Sequence, residues 1–304
     1  MTKNYLLENL KTTDSHEVAK EVLEIQTEVF PKVDASMISQ LFEDVTAIFK
    51  GNFWNYQAMD TVYHDLEHTL QVTLCWVRMV ANRNQLHIDP VMTDKDFIIG
   101  LHGVILHDIG FLKENGDHEG TGAKFTFVHE KRSCELAYLY LDKKGWNKQD
   151  ISAVQHLISC TGPRSIIDAV PFNNKLERIM GESVCSADYI GQMSDPAYLH
   201  KLPALFLEFE ESDNFRNIPN EKRIFKSTEE LFRGTPIFWE KLVIPKLEKE
   251  CHGLYKYLAQ PYPDGINPYL IKIEENVNII QKESKNLNLW KEYFGKRSLK
   301  VESN

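Results

Sequence analysis

The chain has 304 residues, 42% hydrophobic and 26% charged, an ordinary composition for a globular protein with a sizeable core. Its formal net charge of -9 argues against a broad footprint for nucleic acid or an anionic membrane. A negatively charged substrate therefore needs a metal or a few placed cations.

Helical periodicity dominates and strand-like alternation is scarce, so the expected fold class is all-α. The pattern predicts helices over roughly 15–30, 35–50, 66–84, 94–107, 130–144, 148–160, 174–188, 196–211, 228–258 and 267–284. Asp94 and Asn147 read as N-caps, and Gly145 as the stop after YLYLDKKG. The segments 212–226 and 260–268 read as polar or turn-rich breaks, and the last residues, from about 296, are expected to fray. The organisation expected is an N-terminal helical segment over 1–50, a core over 51–195 and a helical extension over 196–304. In the extension, Trp239, Leu242, Ile244 and Leu247 form an apolar stripe that packs on the core or joins a homodimer.

The start MTKNYLLENLKTTDSHEV has no apolar run followed by small residues, and no window approaches 18 continuous apolar residues. A cytoplasmic location is the expectation. The five cysteines, Cys75, Cys134, Cys160, Cys185 and Cys251, are scattered and include no CxxC pair. Reduced, mostly buried thiols are expected rather than disulfides or a zinc cluster.

Chemistry concentrates between 60 and 192. YHDLEHT places His64 and His68 four residues apart at a helix start, and His107-Asp108 closes the very apolar run LHGVILHDIGF. His129 opens another helix, His156 lies inside VQHLIS, and Asp188 follows SVCSA. Imidazole and carboxylate suit a borderline or hard divalent ion, and the carboxylate of an adjacent His-Asp pair can bridge two. Asp108 among apolar neighbours is costly to bury unless a cation offsets it. The Gly-rich stretch 110–128 is long for a helical chain and marks a functional loop. His102, five residues before His107, faces another side of its helix and reads as core.

The ordered set of YHxxxHT, HDIGF, two later histidines and a closing aspartate resembles the HD superfamily of metal-dependent phosphohydrolases. That resemblance implies that His68, His107, Asp108 and Asp188 ligate one metal, with Asp108 bridging to a second held by His129 and His156. It also implies that His64 gives a proton to the leaving group, as in cyclic-nucleotide phosphodiesterases. No purine-clamping glutamine has an identifiable counterpart, and Asp65 replaces the Asn of the phosphodiesterase motif.

The implied cofactors are two divalent ions, with Fe, Mn, Mg, Ni and Zn all open. They would activate a water and neutralise phosphate charge. Lys113, Lys124 and Arg132 are candidates for phosphate contacts, Lys113 also within the catalytic set. The partner expected is a small-molecule phosphate ester, nucleotide-like, with no nucleic acid or membrane. A di-iron oxygenase of the same superfamily shares the ligand order and is the alternative, followed by a non-catalytic nucleotide-binding module.

Overall fold

The computed structural model describes residues 11–52 and 54–283. The expected fraying from about 296 lies outside them. Ten α-helices make up the fold, with no strand among the described residues beyond two isolated bridges. They are α1 (Ser15–Val29), α2 (Ala35–Phe49), α3 (Leu66–Gln85), α4 (Asp94–Ile105) and α5 (His129–Lys143). The second half of the chain adds α6 (Lys148–Ile158), α7 (Lys175–Met193), α8 (Tyr198–Phe215), α9 (Thr228–Phe238) and α10 (Pro268–Glu283). None is long and apolar enough to cross a membrane.

The axis of the bundle is α3, whose residues from His68 to Ala81 are buried apart from Gln71. A helix buried on every side must pair its polar groups internally. Trp76 Nε1 accordingly donates to Ser183 Oγ of α7 at 2.8 Å, and Arg78 reaches Tyr269 of α10 at 3.0 Å. The antiparallel neighbour α4 approaches closely because Gly100 lies flat against the Trp76 ring; a Cβ there would sit 2.2 Å from Cζ2. All five cysteines are free thiols, four of them buried and Cys134 half-buried.

Several helix ends follow local chemistry. Asn147 caps α6 through the Asp150 amide, and Gly145 takes a left-handed φ of 79° just past α5. At α4 the cap is Thr93 rather than Asp94. Thr93 and Asp96 form a reciprocal capping box, a stronger arrangement than a lone aspartate.

Two expectations fail further along. α8 runs to Phe215, into the segment read as loop. The helix read over 228–258 is instead α9, two π-helical stretches (Trp239–Val243 and Lys246–Glu250) and a 3₁₀ stretch, Leu254–Leu258. Pro236 and Pro245 each remove a backbone donor from the ladder, and Gly253 at φ 67° turns the chain. Of the apolar stripe, Trp239 and Leu247 are buried, Ile244 is partly so, and Leu242 is exposed.

The close approach of α4 to α3 generates a first prediction. Gly100→Ala should cost about 1–3 kcal/mol of stability, because the buried Trp76 ring is tied to Ser183 and cannot move freely. Urea denaturation measures it; an unchanged midpoint would mean that the ring yields without cost.

Candidate metal centre

Four helix-associated segments meet at one point. His68 sits in the first turn of α3, His107 and Asp108 just beyond the end of α4, His129 at the first position of α5, and Asp188 well inside α7. All five residues are buried. The Nε2 atoms of His68 and His107 each stand 3.2 Å from Asp108 Oδ2 and 3.7 Å from Asp188 Oδ1. His129 Nε2 faces the other oxygen, Asp108 Oδ1, at 3.5 Å.

Backbone carbonyls decide which ring nitrogens face inward. His107 Nδ1 lies 2.7 Å from Val104 O, and His129 Nδ1 lies 2.8 Å from Thr126 O. A carbonyl only accepts, so Nδ1 carries hydrogen in both rings. In the neutral imidazole, Nε2 is then a lone pair aimed at the aspartates.

The nest is under-satisfied. His68 Nε2, His107 Nε2 and Asp108 Oδ2 are buried with no hydrogen-bond partner. Each such atom costs about 1–3 kcal/mol when nothing pairs with it. Burial opposes ionisation of Asp108, yet His107 and His68 outweigh it and hold the carboxyl well below the usual range. Burial likewise pulls His107 down, and Asp108 and Asp188 push it well above the usual imidazole value. A divalent cation among His68, His107, Asp108 and Asp188 would supply the missing partner, so the donor set fits a metal.

His64 lies beside this nest without pointing its Nδ1 into it. That nitrogen meets Glu208 Oε2 at 2.5 Å, while Glu208 Oε1 accepts from the amides of Tyr63 (2.6 Å) and His64 (3.3 Å). Burial lowers the affinity of His64 for its proton, but Glu208 outweighs it, and the imidazole is raised to about 9. Phe111 stacks on both His64 and His129, with centroids 4.6 and 4.4 Å away, and sets the two rings in register.

The three candidate phosphate cations are engaged elsewhere. Lys113 Nζ binds Gly120 O at 2.6 Å and Asp60 Oδ2 at 2.8 Å. Lys124 Nζ binds Asp117 Oδ1 and Glu119 O, both at 2.6 Å. Arg132 donates to Gly110 O (2.7 Å) and Leu112 O (2.6 Å) and stacks on Phe125. Together they fasten the Gly-rich stretch to itself and to α5. The carbonyls of a loop without regular structure need donors, and these cations provide them.

His156 is not brought to the cluster. Its Nδ1 lies 2.6 Å from Glu177 Oε1, and its Nε2 lies 3.3 Å from Ser152 Oγ of its own helix. Glu177 and Asp188 are eleven positions apart on the continuous helix α7, about 16 Å along its axis. A ring held at Glu177 therefore stands some three turns from the site. His102 packs in the core, its Nδ1 on Ile98 O at 2.8 Å.

Glu208 escaped the sequence reading. It stands 144 positions from His64 within FLEFEESDNF, where nothing distinguishes it from its acidic neighbours.

A solved structure, the phosphodiesterase domain of the RhoPDE fusion protein from the choanoflagellate Salpingoeca rosetta, is similar to this chain. The likeness covers 94% of this chain and 94% of that one, with a TM-score of 0.57 and 15% sequence identity. At that identity the likeness is one of fold. A family model described as Npun_R2479-like matches residues 151–260, a stretch containing Asp188 and Glu208. No curated protein matches the chain.

The orphaned nitrogens generate a second prediction. Supplying Mn²⁺ or Zn²⁺ should raise the thermal midpoint of the wild-type protein, because an ion that binds only the folded state stabilises it. Asp108→Ala should lose that response. A melting curve indifferent to metal in the wild type, or equally shifted in the variant, would remove these residues from consideration as ligands.

Proposed function

We propose that this chain is a metal-dependent phosphohydrolase that cleaves a phosphate ester of a small, nucleotide-like molecule. The observation that carries the reading is a partly buried imidazole, His64, paired with Glu208 beside an under-satisfied nest of His and Asp donors. The phosphodiesterase activity named for the structural neighbour agrees with it.

The ligands proposed are His68, His107, Asp108 and Asp188 for one divalent ion, with Asp108 Oδ1 and His129 turned toward a second. When bound, such ions lower the pKa of a water and offset charge on phosphate oxygens. The chain's own residues supply the rest. With Nδ1 held by Glu208, His64 is an imidazolium near neutral pH, and its Nε2 proton is the one available to a departing oxygen. Glu208 fixes both the charge and the orientation of that ring, and its amide contacts anchor the start of α3. Phe111 keeps water from one face of the imidazole.

The contact to Glu177 holds His156 away from a second ion, and it does so equally for hydrolysis and for the di-iron oxygenase alternative, which share one ligand order. Metal content and oxygen uptake separate the two.

His64→Ala should keep its bound metal, measured by elemental analysis, and hydrolyse alkyl phosphate esters about 10²–10⁴-fold more slowly. Aryl esters with acidic leaving groups should suffer less, since they depart without a proton. Glu208→Gln should show the same leaving-group dependence at smaller amplitude. Loss of metal from either variant would instead make His64 a ligand or Glu208 its support. Obligate iron with oxygen uptake would overturn hydrolysis itself.

A further inference from the structure

With Lys113, Lys124 and Arg132 committed to the loop, two exposed arginines stand out. Arg164 follows α6 and Arg216 caps the end of α8. Both lay their guanidinium groups on the Phe127 ring, 4.1 and 3.5 Å from its centroid. Arg164 adds a long contact to Phe127 O at 3.4 Å. Both arginines are exposed, and among the described residues no carboxylate lies within 4.0 Å of either.

Two like charges on one ring lie within a Debye length of each other, roughly 8 Å at physiological ionic strength. The chain has 44 acidic residues against 35 basic ones, so a carboxylate between the pair would be easy to provide. A neutral ring orients two guanidinium planes by stacking but leaves their charge uncompensated and most of their N–H donors unengaged.

Their position ties them to the metal centre. Phe127 is two residues before His129, whose Nε2 faces Asp108. On α8, Glu208 holds His64, and Arg216 follows eight positions later, about 12 Å along the helix. The side chain of Glu130, next to His129, lies against Gly162, two residues before Arg164. The arginine pair is therefore tied by short stretches of chain to residues of the nest, through three separate segments. Paired planar forks match the oxygens of a phosphate dianion.

We propose that Arg164 and Arg216, oriented by Phe127, form a second anion subsite that takes a distal phosphate of an oligophosphate ligand whose first phosphate reaches the metal centre. This rests on the phosphohydrolase reading for the first phosphate only.

Calorimetric titration of the metal-loaded protein with inorganic tripolyphosphate and with inorganic phosphate tests it, metal content being measured before and after. The wild type should bind tripolyphosphate at least tenfold more tightly than phosphate. The double variant Arg164→Gln/Arg216→Gln should lose that preference while retaining metal and a cooperative melt. Arg164→Lys/Arg216→Lys, which keeps charge without the planar fork, should recover part of it. A preference unchanged in the Gln double variant overturns the subsite, as does a wild type that binds both anions equally. If the preference depends on the arginines but no phosphate ester is turned over, the subsite stands and the hydrolase reading falls.

Discussion

The Asp108 carboxylate, buried where four helical segments meet and faced by imidazole nitrogens on both of its oxygens, is the constraint on which the rest of this structure depends. A buried anion with an unpartnered oxygen is unfavourable, and so is each unpartnered Nε2 around it. The imidazoles favour the Asp108 charge but leave its Oδ2 and two of their own Nε2 atoms without a hydrogen-bond partner. Val104 O and Thr126 O engage the outer nitrogens of His107 and His129, which turns the inner nitrogens toward Asp108 rather than away. Gly110, whose missing Cβ would lie 2.0 Å from His129 O, lets the Asp108 turn press against the start of α5. Among the buried polar atoms left without a partner, those of the nest are the ones where imidazole and carboxylate face each other, a donor set that fits a cation.

The second half of the chain completes the site. α8 contributes Glu208 to His64 and, one turn later, Glu211 to Thr121, whose hydroxyl it accepts from at 2.7 Å. The same helix thereby sets the charge of one imidazole and holds the middle of the Gly-rich stretch. Lys113, Lys124 and Arg132 fasten that stretch from within, so a loop rich in glycine keeps a defined path beside the nest. The cations nearest the site in sequence serve architecture, whereas Arg164 and Arg216, far apart in the chain, are exposed and meet on Phe127.

The His-Asp cluster was legible because each member lies at a helix start, a helix end or a regular helical position that the sequence pattern marks. His68 follows its N-cap Asp65, His107-Asp108 ends an apolar run, and Asp188 continues the periodicity of α7. His156 matched the same pattern and is absent from the nest. Periodicity places a residue on a helix face but does not say how far along a neighbouring helix that face makes contact, and here it meets Glu177. The single long helix read over 228–258 failed for a related reason. Its apolar stripe was real, but Pro236, Pro245 and Gly253 govern the backbone, and a hydrophobic pattern does not count hydrogen-bond donors.

By itself the sequence determined the all-α class, most helix spans and the His-Asp centre, because these depend on propensity, local capping and apolar spacing within about twenty residues. Only the tertiary structure decided that His64 Nδ1 meets Glu208, that three expected phosphate cations bind loop carbonyls and carboxylates, and that Arg164 and Arg216 meet on Phe127. Those outcomes depend on which side chains face each other across helices joined by long intervening chain. Electrostatics acts over a few ångströms in space, and spacing in sequence carries no record of that distance.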